Sequence, residues 1–131
     1  MAFMLAYCEG GIVPAIEYLP CSAITPKVGM ALTQTSGKLA IATGTTAPKY
    51  ISMIEKGSAC EAGDIIPVLR VLPGLVFDTT FSAAAASLNL GDKVTLHASS
   101  GMQVTATTAS GVAEVVEMDG TASGDHCRVR F

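Results

Sequence analysis

Residues 28–42 read Val28-Gly29-Met30-Ala31-Leu32-Thr33-Gln34-Thr35-Ser36-Gly37-Lys38-Leu39-Ala40-Ile41-Ala42. Two short runs of apolar and Thr residues flank a Thr-Ser-Gly cluster. The reading is a strand over Val28–Gln34, a turn at Thr35-Ser36-Gly37 and a second strand over Lys38–Ala42, that is, a β-hairpin with a short Gly-containing loop. The chain downstream repeats this texture. Thr43–Pro48 is a loop. Lys49–Glu55 alternates, with Tyr50, Ser52 and Ile54 on one face and Ile51 and Met53 on the other. Ile65–Leu72 is a strongly apolar strand in which Pro67 predicts a break or an edge position, because proline has no N–H for a ladder. Val76–Phe81, Lys93–Ala98, Met102–Thr107, Val112–Met118 and His126–Phe131 are further strands, separated by turns at Ser99-Ser100-Gly101, Ala109-Ser110-Gly111 and Asp119-Gly120. One segment reads as helix: Ser82 caps the Ala-rich run Ala83–Ser87 and Gly91 ends it. Many short strands at this spacing predict a mainly β domain, a compact barrel or β-tulip-like arrangement with one short helix.

Upstream of the hairpin the pattern differs. Pro14, Pro20 and Pro26, with Gly10 and Gly11, exclude a long helix from residues 1–26. Yet Phe3, Leu5, Tyr7, Ile12, Val13, Ile16 and Tyr18 supply recurrent apolar side chains. This reads as an extended N-terminal arm (residues 1–22) ahead of a β-rich domain (residues 23–131). An arm this apolar must lie against something, either its own domain or a partner. These seven residues are the candidate interface with a partner or another subunit, and removing residues 1–20 is expected to leave a folded domain.

Dipeptides Gly63-Asp64, Gly91-Asp92 and Gly124-Asp125 each precede a strand. Glycine supplies a turn conformation other residues avoid, and aspartate bonds nearby backbone amides. The three carboxylates therefore have a local structural task. Their spacings are too uneven for a repeat architecture.

Composition narrows the function. The 131 residues suit one domain; half are hydrophobic, only 5% are aromatic and 15% are charged, against roughly 25% charged in an average domain. A weakly charged surface favours one that is partly covered in an assembly. Eight basic residues, with only Arg128 and Arg130 close together, and a net charge of −3 exclude a clustered nucleic-acid footprint and a surface for anionic lipid. No apolar run reaches the length of a transmembrane helix. Met1–Tyr7 is apolar but is not preceded by Lys or Arg and is interrupted by Glu9, Gly10 and Gly11, so it does not read as a secretory signal. Cys8, Cys21, Cys60 and Cys127 show no CxxC spacing; two disulfides are possible by count, but the expected state is four reduced thiols.

Candidate chemistry is sparse. His126 and Cys127 are adjacent in a strand and point to opposite faces, so the histidine does not activate the thiol. His97 reads as a structural histidine. Asp119–Asp125 resembles a calcium loop only superficially, since it lacks the alternating oxygen ligands and the terminal Glu. Glu114 and Glu117, three apart in a strand, are expected on opposite faces and not as a carboxylate pair. Gly10-Gly11 lacks the context of a phosphate loop, and Lys38 and Lys93 lack the flanking residues of a biotin or lipoyl carrier. No catalytic residue, cofactor or metal site is expected.

Ile16–Pro20, Ala23–Leu32, Gly37–Ala40, Gly91-Asp92-Lys93-Val94, Asp119-Gly120-Thr121 and Gly124-Asp125 together resemble the head decoration (capsid cement) proteins of tailed bacteriophages and prophages. The similarity spans most of residues 16–131. It implies a compact β domain that binds the outside of a shell through the major capsid protein, often as a homotrimer, and reinforces it against internal pressure. It also implies a virion location after synthesis in the bacterial host cytoplasm, no nucleic-acid or membrane partner, and a role for residues 1–15 as a docking arm. Two alternatives stand beside it: another virion or tail structural component, and a small β-barrel ligand- or metal-binding domain using His97, His126, Cys60 or Cys127.

Overall fold

The computed structural model describes residues 2–131. Ten strands follow one another: β1 (Met4–Cys8), β2 (Ile16–Pro20), β3 (Ala31–Thr35), β4 (Lys38–Ile41), β5 (Tyr50–Ser52), β6 (Ile65–Arg70), β7 (Leu75–Thr80), β8 (Lys93–Val94), β9 (Ala113–Met118) and β10 (His126–Arg130). They form two antiparallel five-stranded sheets, one in the order β1-β7-β10-β9-β8 and the other β2-β6-β5-β3-β4. The chain is mainly β, as its alternation predicts.

Alternation assigns the faces. Phe77, Val115 and Val129 of the first sheet meet Ala31, Ile51 and Leu69 of the second in one buried cluster, to which Phe3, Phe81, Leu96 and Val104 add. The opposite face of the second sheet is also apolar. There Leu32, Leu39, Tyr50, Ile66 and Val68 bury a second cluster, which Cys21, Met30 and Cys60 complete. The second sheet is thus covered on both sides, which is why β6 reads as a continuous apolar run.

The hairpin that began the reading is present. Thr35 pairs with Lys38, and the two loop residues Ser36 and Gly37 both have positive φ, 52° and 77°, the geometry of a tight turn whose twist matches its strands. Pro67 does not break β6, which lies one strand in from the edge. The Pro67 carbonyl accepts from Met53 at 3.0 Å. Carbonyl and nitrogen of one strand residue point to the same side, so the missing N–H falls just beyond the end of β5.

Two expectations are corrected. Ala83–Ser87 forms no helix, only bends and a turn. The Ala85 amide instead donates to the Thr121 carbonyl at 2.7 Å and its side chain enters the core; a run this short is governed by such tertiary contacts. The only helical turn among the described residues is the 3-10 turn Glu9–Gly11. Met102–Thr107 forms isolated bridges, Val104 with Phe81 and with Leu96, and no full strand. Of the two readings open for residues 1–22, packing on the chain's own domain describes both strands: β1 pairs with β7 and β2 with β6. Removing residues 1–20 would strip the outer strand from each sheet and Phe3 from the core, so truncation is not a neutral operation.

The three Gly-Asp turns share one construction. Gly63, Gly91 and Gly124 have φ of 95°, 94° and 89°. The following aspartates, Asp64, Asp92 and Asp125, accept the amides of Glu61, Asn89 and Ala122, each at 2.9 Å. Each turn then launches a strand, β6, β8 or β10.

Candidate functional site

The first and second strands are the outermost strands of their sheets, and each leaves one row of backbone groups without a strand partner. Gly10 and Gly11, with φ of 79° and 74°, turn the chain between them. The start of the segment is fastened at Gly29. The Phe3 amide donates to the Gly29 carbonyl at 2.8 Å, and a Cβ on Gly29 would lie 2.6 Å from the Ala2 Cβ. Phe3 itself is 1% exposed and stacks edge-on against Phe131 at 5.4 Å between ring centres. It is therefore a core residue, and the expectation that it faces a partner is corrected.

The other six candidates reach solvent. Ile12, Val13 and Tyr18 are 73%, 63% and 69% exposed, and Leu5, Tyr7 and Ile16 are exposed to a lesser degree. Leu5, Val13 and Ile16 line one groove of about 320 Å³ together with Val28 and Met53, above a floor that includes Phe77 and Leu69. Met4 and Met53, which sequence reading did not single out, extend the same apolar surface. Their signal was hidden because register, and not residue type, turns them outward. Tyr7 lies elsewhere: its ring sits beneath the Arg128 guanidinium, 5.8 Å from ring centre to cation.

Arg128 belongs to a second feature, an ionic ladder on the outer face of the first sheet. Asp78 accepts from Arg128 Nε at 2.8 Å and lies 2.7 Å from His126 Nε2. His126 Nδ1 lies 2.8 Å from Asp119, and Arg128 also donates to Glu117 at 2.8 Å. Arg130 holds Glu114 at 3.1 and 3.2 Å and reaches Glu9 at 2.6 Å. Partial burial pushes Asp78 up, but hydrogen bonds from Arg128 and His126 more than offset this and hold its carboxyl below the ordinary range. Arg130 does the same for Glu114.

Glu114 and Glu117 therefore share a face, contrary to the simple alternation expected of them. A bulge is the reason: Arg128 pairs with Glu117 but Val129 pairs with Val115. The extra residue, Val116, shifts the phase of β9 by one. No sequence signal marks it.

Both ring nitrogens of His126 are taken by carboxylates, so the imidazole works as a cross-link between strands. Cys127 points the other way into the core, and burial, with Asp119 and Asp78 nearby, pushes its thiol up to about 12. His97 Nδ1 accepts the amides of Ser99 and Ser100 at 3.3 and 3.2 Å, shaping the turn that follows. No three His, Cys, Asp or Glu side chains converge as a metal site among the described residues, and none of the described helical segments is long and apolar enough to cross a membrane.

No protein-family model matches the chain, and no curated protein matches it significantly.

Proposed function

We propose that the protein is a structural virion component that docks on the outside of a phage capsid shell and stabilises it. The observation that carries this reading is the exposed apolar area of residues 5–18: Leu5, Val13 and Ile16 line a groove, and Ile12 and Tyr18 are exposed on the same segment. Exposed apolar area of this kind marks surfaces that are covered in use. Unpaired strand edges beside it suit recognition of an extended segment, with backbone bonds giving affinity and alternate side chains giving selectivity. The partner in this reading is the major capsid protein, and the assembled form is a homotrimer on the shell. The finer fold, a compact barrel or β-tulip, draws support from the bridge between Cys21 and Leu39, which brings the outer strands β2 and β4 together at one end of the second sheet.

The test is co-sedimentation of the purified chain with shells of the matching phage assembled without it. The expected result is saturable pelleting at a fixed number of copies per capsomer. The double variant Ile12→Ser/Tyr18→Ser, altered only at exposed positions, loses at least tenfold in affinity. Absence of pelleting with both immature and expanded shells rejects shell binding and moves the assignment to another virion or tail component.

A further inference from the structure

Among the five aspartates of the chain, only Asp119 is followed by glycine. Asp119-Gly120 opens the turn between β9 and β10. The fold requires glycine there: a Cβ on Gly120 would overlap the Asp125 carboxylate, whose Oδ2 accepts the Ala122 amide at 2.9 Å. Backbone bonds shape the turn from the Asp119 amide to the His126 carbonyl at 3.0 Å, from Asp125 to Ala122 at 3.0 Å and from Gly124 to Phe81 at 2.7 Å, and none of them uses the Gly120 amide. The Asp119 side chain is 73% exposed and is held by His126 Nδ1 at 2.8 Å. The other four aspartates differ. Asp64, Asp92 and Asp125 accept backbone amides, and Asp78 is bonded by Arg128 and His126. Each of them precedes a strand residue that carries a side chain: Ile65, Thr79, Lys93 and His126.

We infer that Asp119-Gly120 is a site of spontaneous isomerisation to isoaspartate and that His126 restrains the reaction. The reacting atoms need no tertiary contact to meet, since closing the Gly120 nitrogen onto Asp119 Cγ makes a five-membered ring. A Cβ on the following residue crowds that nitrogen, and glycine leaves it open. The nitrogen attacks Cγ of the protonated carboxyl. The N–Cγ bond forms, the Cγ–O bond breaks, and the departing hydroxyl leaves as water with the amide proton. Water then adds to the main-chain carbonyl of Asp119 in the succinimide and breaks its bond to the Gly120 nitrogen. The main chain now runs through the side-chain carbon, and the freed carboxylate stands on Cα. No electrons are exchanged, and the product has the composition of the starting chain. Ring closure swings the carboxyl over the Gly120 nitrogen, so the bond to His126 must break first. The imidazole is itself pinned through its other nitrogen by Asp78 at 2.7 Å. The contact therefore guards the turn. Isomerisation removes it and adds one backbone atom to the loop that leads into β10.

The experiment ages the full chain for weeks at physiological temperature and neutral pH in water enriched in heavy oxygen. Peptide mapping with fragmentation that separates aspartate from isoaspartate then locates the product. Isoaspartate is expected at position 119, carrying one heavy oxygen from opening of the succinimide. The other four aspartates stay unlabelled, and Asp119→Glu, whose ring would need a sixth atom, gives no product. His126→Ala is expected to speed the reaction at least threefold. His126→Gln, whose amide can donate to the same carboxylate, keeps a rate close to that of the unaltered chain, which separates the contact from a general loosening of the fold. His126 is half-exposed, and circular dichroism checks that both variants are folded. No isoaspartate at position 119, or product formed as readily at Asp64, Asp92 or Asp125, overturns the inference on the unaltered chain alone. Equal rates for folded His126→Ala and the unaltered chain overturn the restraint by His126.

Discussion

Asp78 on β7 and Arg128 on β10 occupy one register pair of the first sheet and are joined side chain to side chain at 2.8 Å. Through Arg128 the contact continues to Glu117 on β9 and to the Tyr7 ring on β1. Four adjacent strands are thus tied across one face by two side chains and their immediate partners. Removing the carboxylate leaves Arg128 with Glu117 and the Tyr7 ring, and His126 with Asp119. Asp78→Ala is expected to lower stability by about 1–2 kcal/mol, since Asp78 is half-buried and accepts charge-assisted bonds from Arg128 and His126. Urea unfolding followed by circular dichroism measures it, and an unchanged midpoint would refute a structural role for the ladder.

The same groups set the response to acid. Asp78, Glu114 and Glu17 all titrate below their ordinary values, Glu114 and Glu17 through hydrogen bonds from Arg130 and Arg70. A carboxylate lowered on folding adds stability that is complete above the unfolded value and is lost as pH falls through the folded one. Stability is therefore expected to be insensitive to these groups near neutrality and to decline below about pH 4. Asp78→Asn should make that decline shallower. An equally steep acid limb in the variant would show that Asp78 is not among the groups responsible.

Phe3 and Ile12 lie nine positions apart and test opposite properties. Phe3 is buried against Phe131, so Phe3→Ala is expected to cost about 3–5 kcal/mol. Ile12 is exposed, so Ile12→Ser should change stability by no more than roughly 0.5 kcal/mol while weakening docking. Chemical denaturation of the two variants side by side separates the roles; comparable losses would contradict this division.

Gly29 is required by close approach as well as by conformation. It has φ of 80° and leaves no room for a Cβ beside Ala2 and Phe3. Gly29→Ala is expected to cost roughly 1–3 kcal/mol and to speed hydrogen exchange at the Phe3 amide, whose bond it carries. Exchange at that amide matching the unaltered protein would argue that β1 is held by β7 alone.

What could be read without coordinates was chemistry decided within a few residues. Ser36-Gly37 announced its turn because both positions need positive φ. The Gly-Asp pairs announced theirs because the carboxylate reaches an amide three residues back. The alternation of Lys49–Glu55 announced β5 and the apolar run Ile65–Leu72 announced β6, and the apolar character of residues 3–18 announced a surface worth examining.

The tertiary structure decided everything that depends on partners distant in the chain. Residue type marks Phe3 and Ile12 alike as apolar, and only Phe131 and Gly29 make one of them core. The helix over Ala83–Ser87 lost to a bond with Thr121, the carboxylates of Glu114 and Glu117 were brought to one face by an unsignalled bulge, and Cys21 and Cys60 joined one buried cluster only when the second sheet folded. Local backbone preference and alternation act over a few residues and so are written in order along the chain. Strand pairing and burial join residues tens of positions apart, and their free energy belongs to the packed whole.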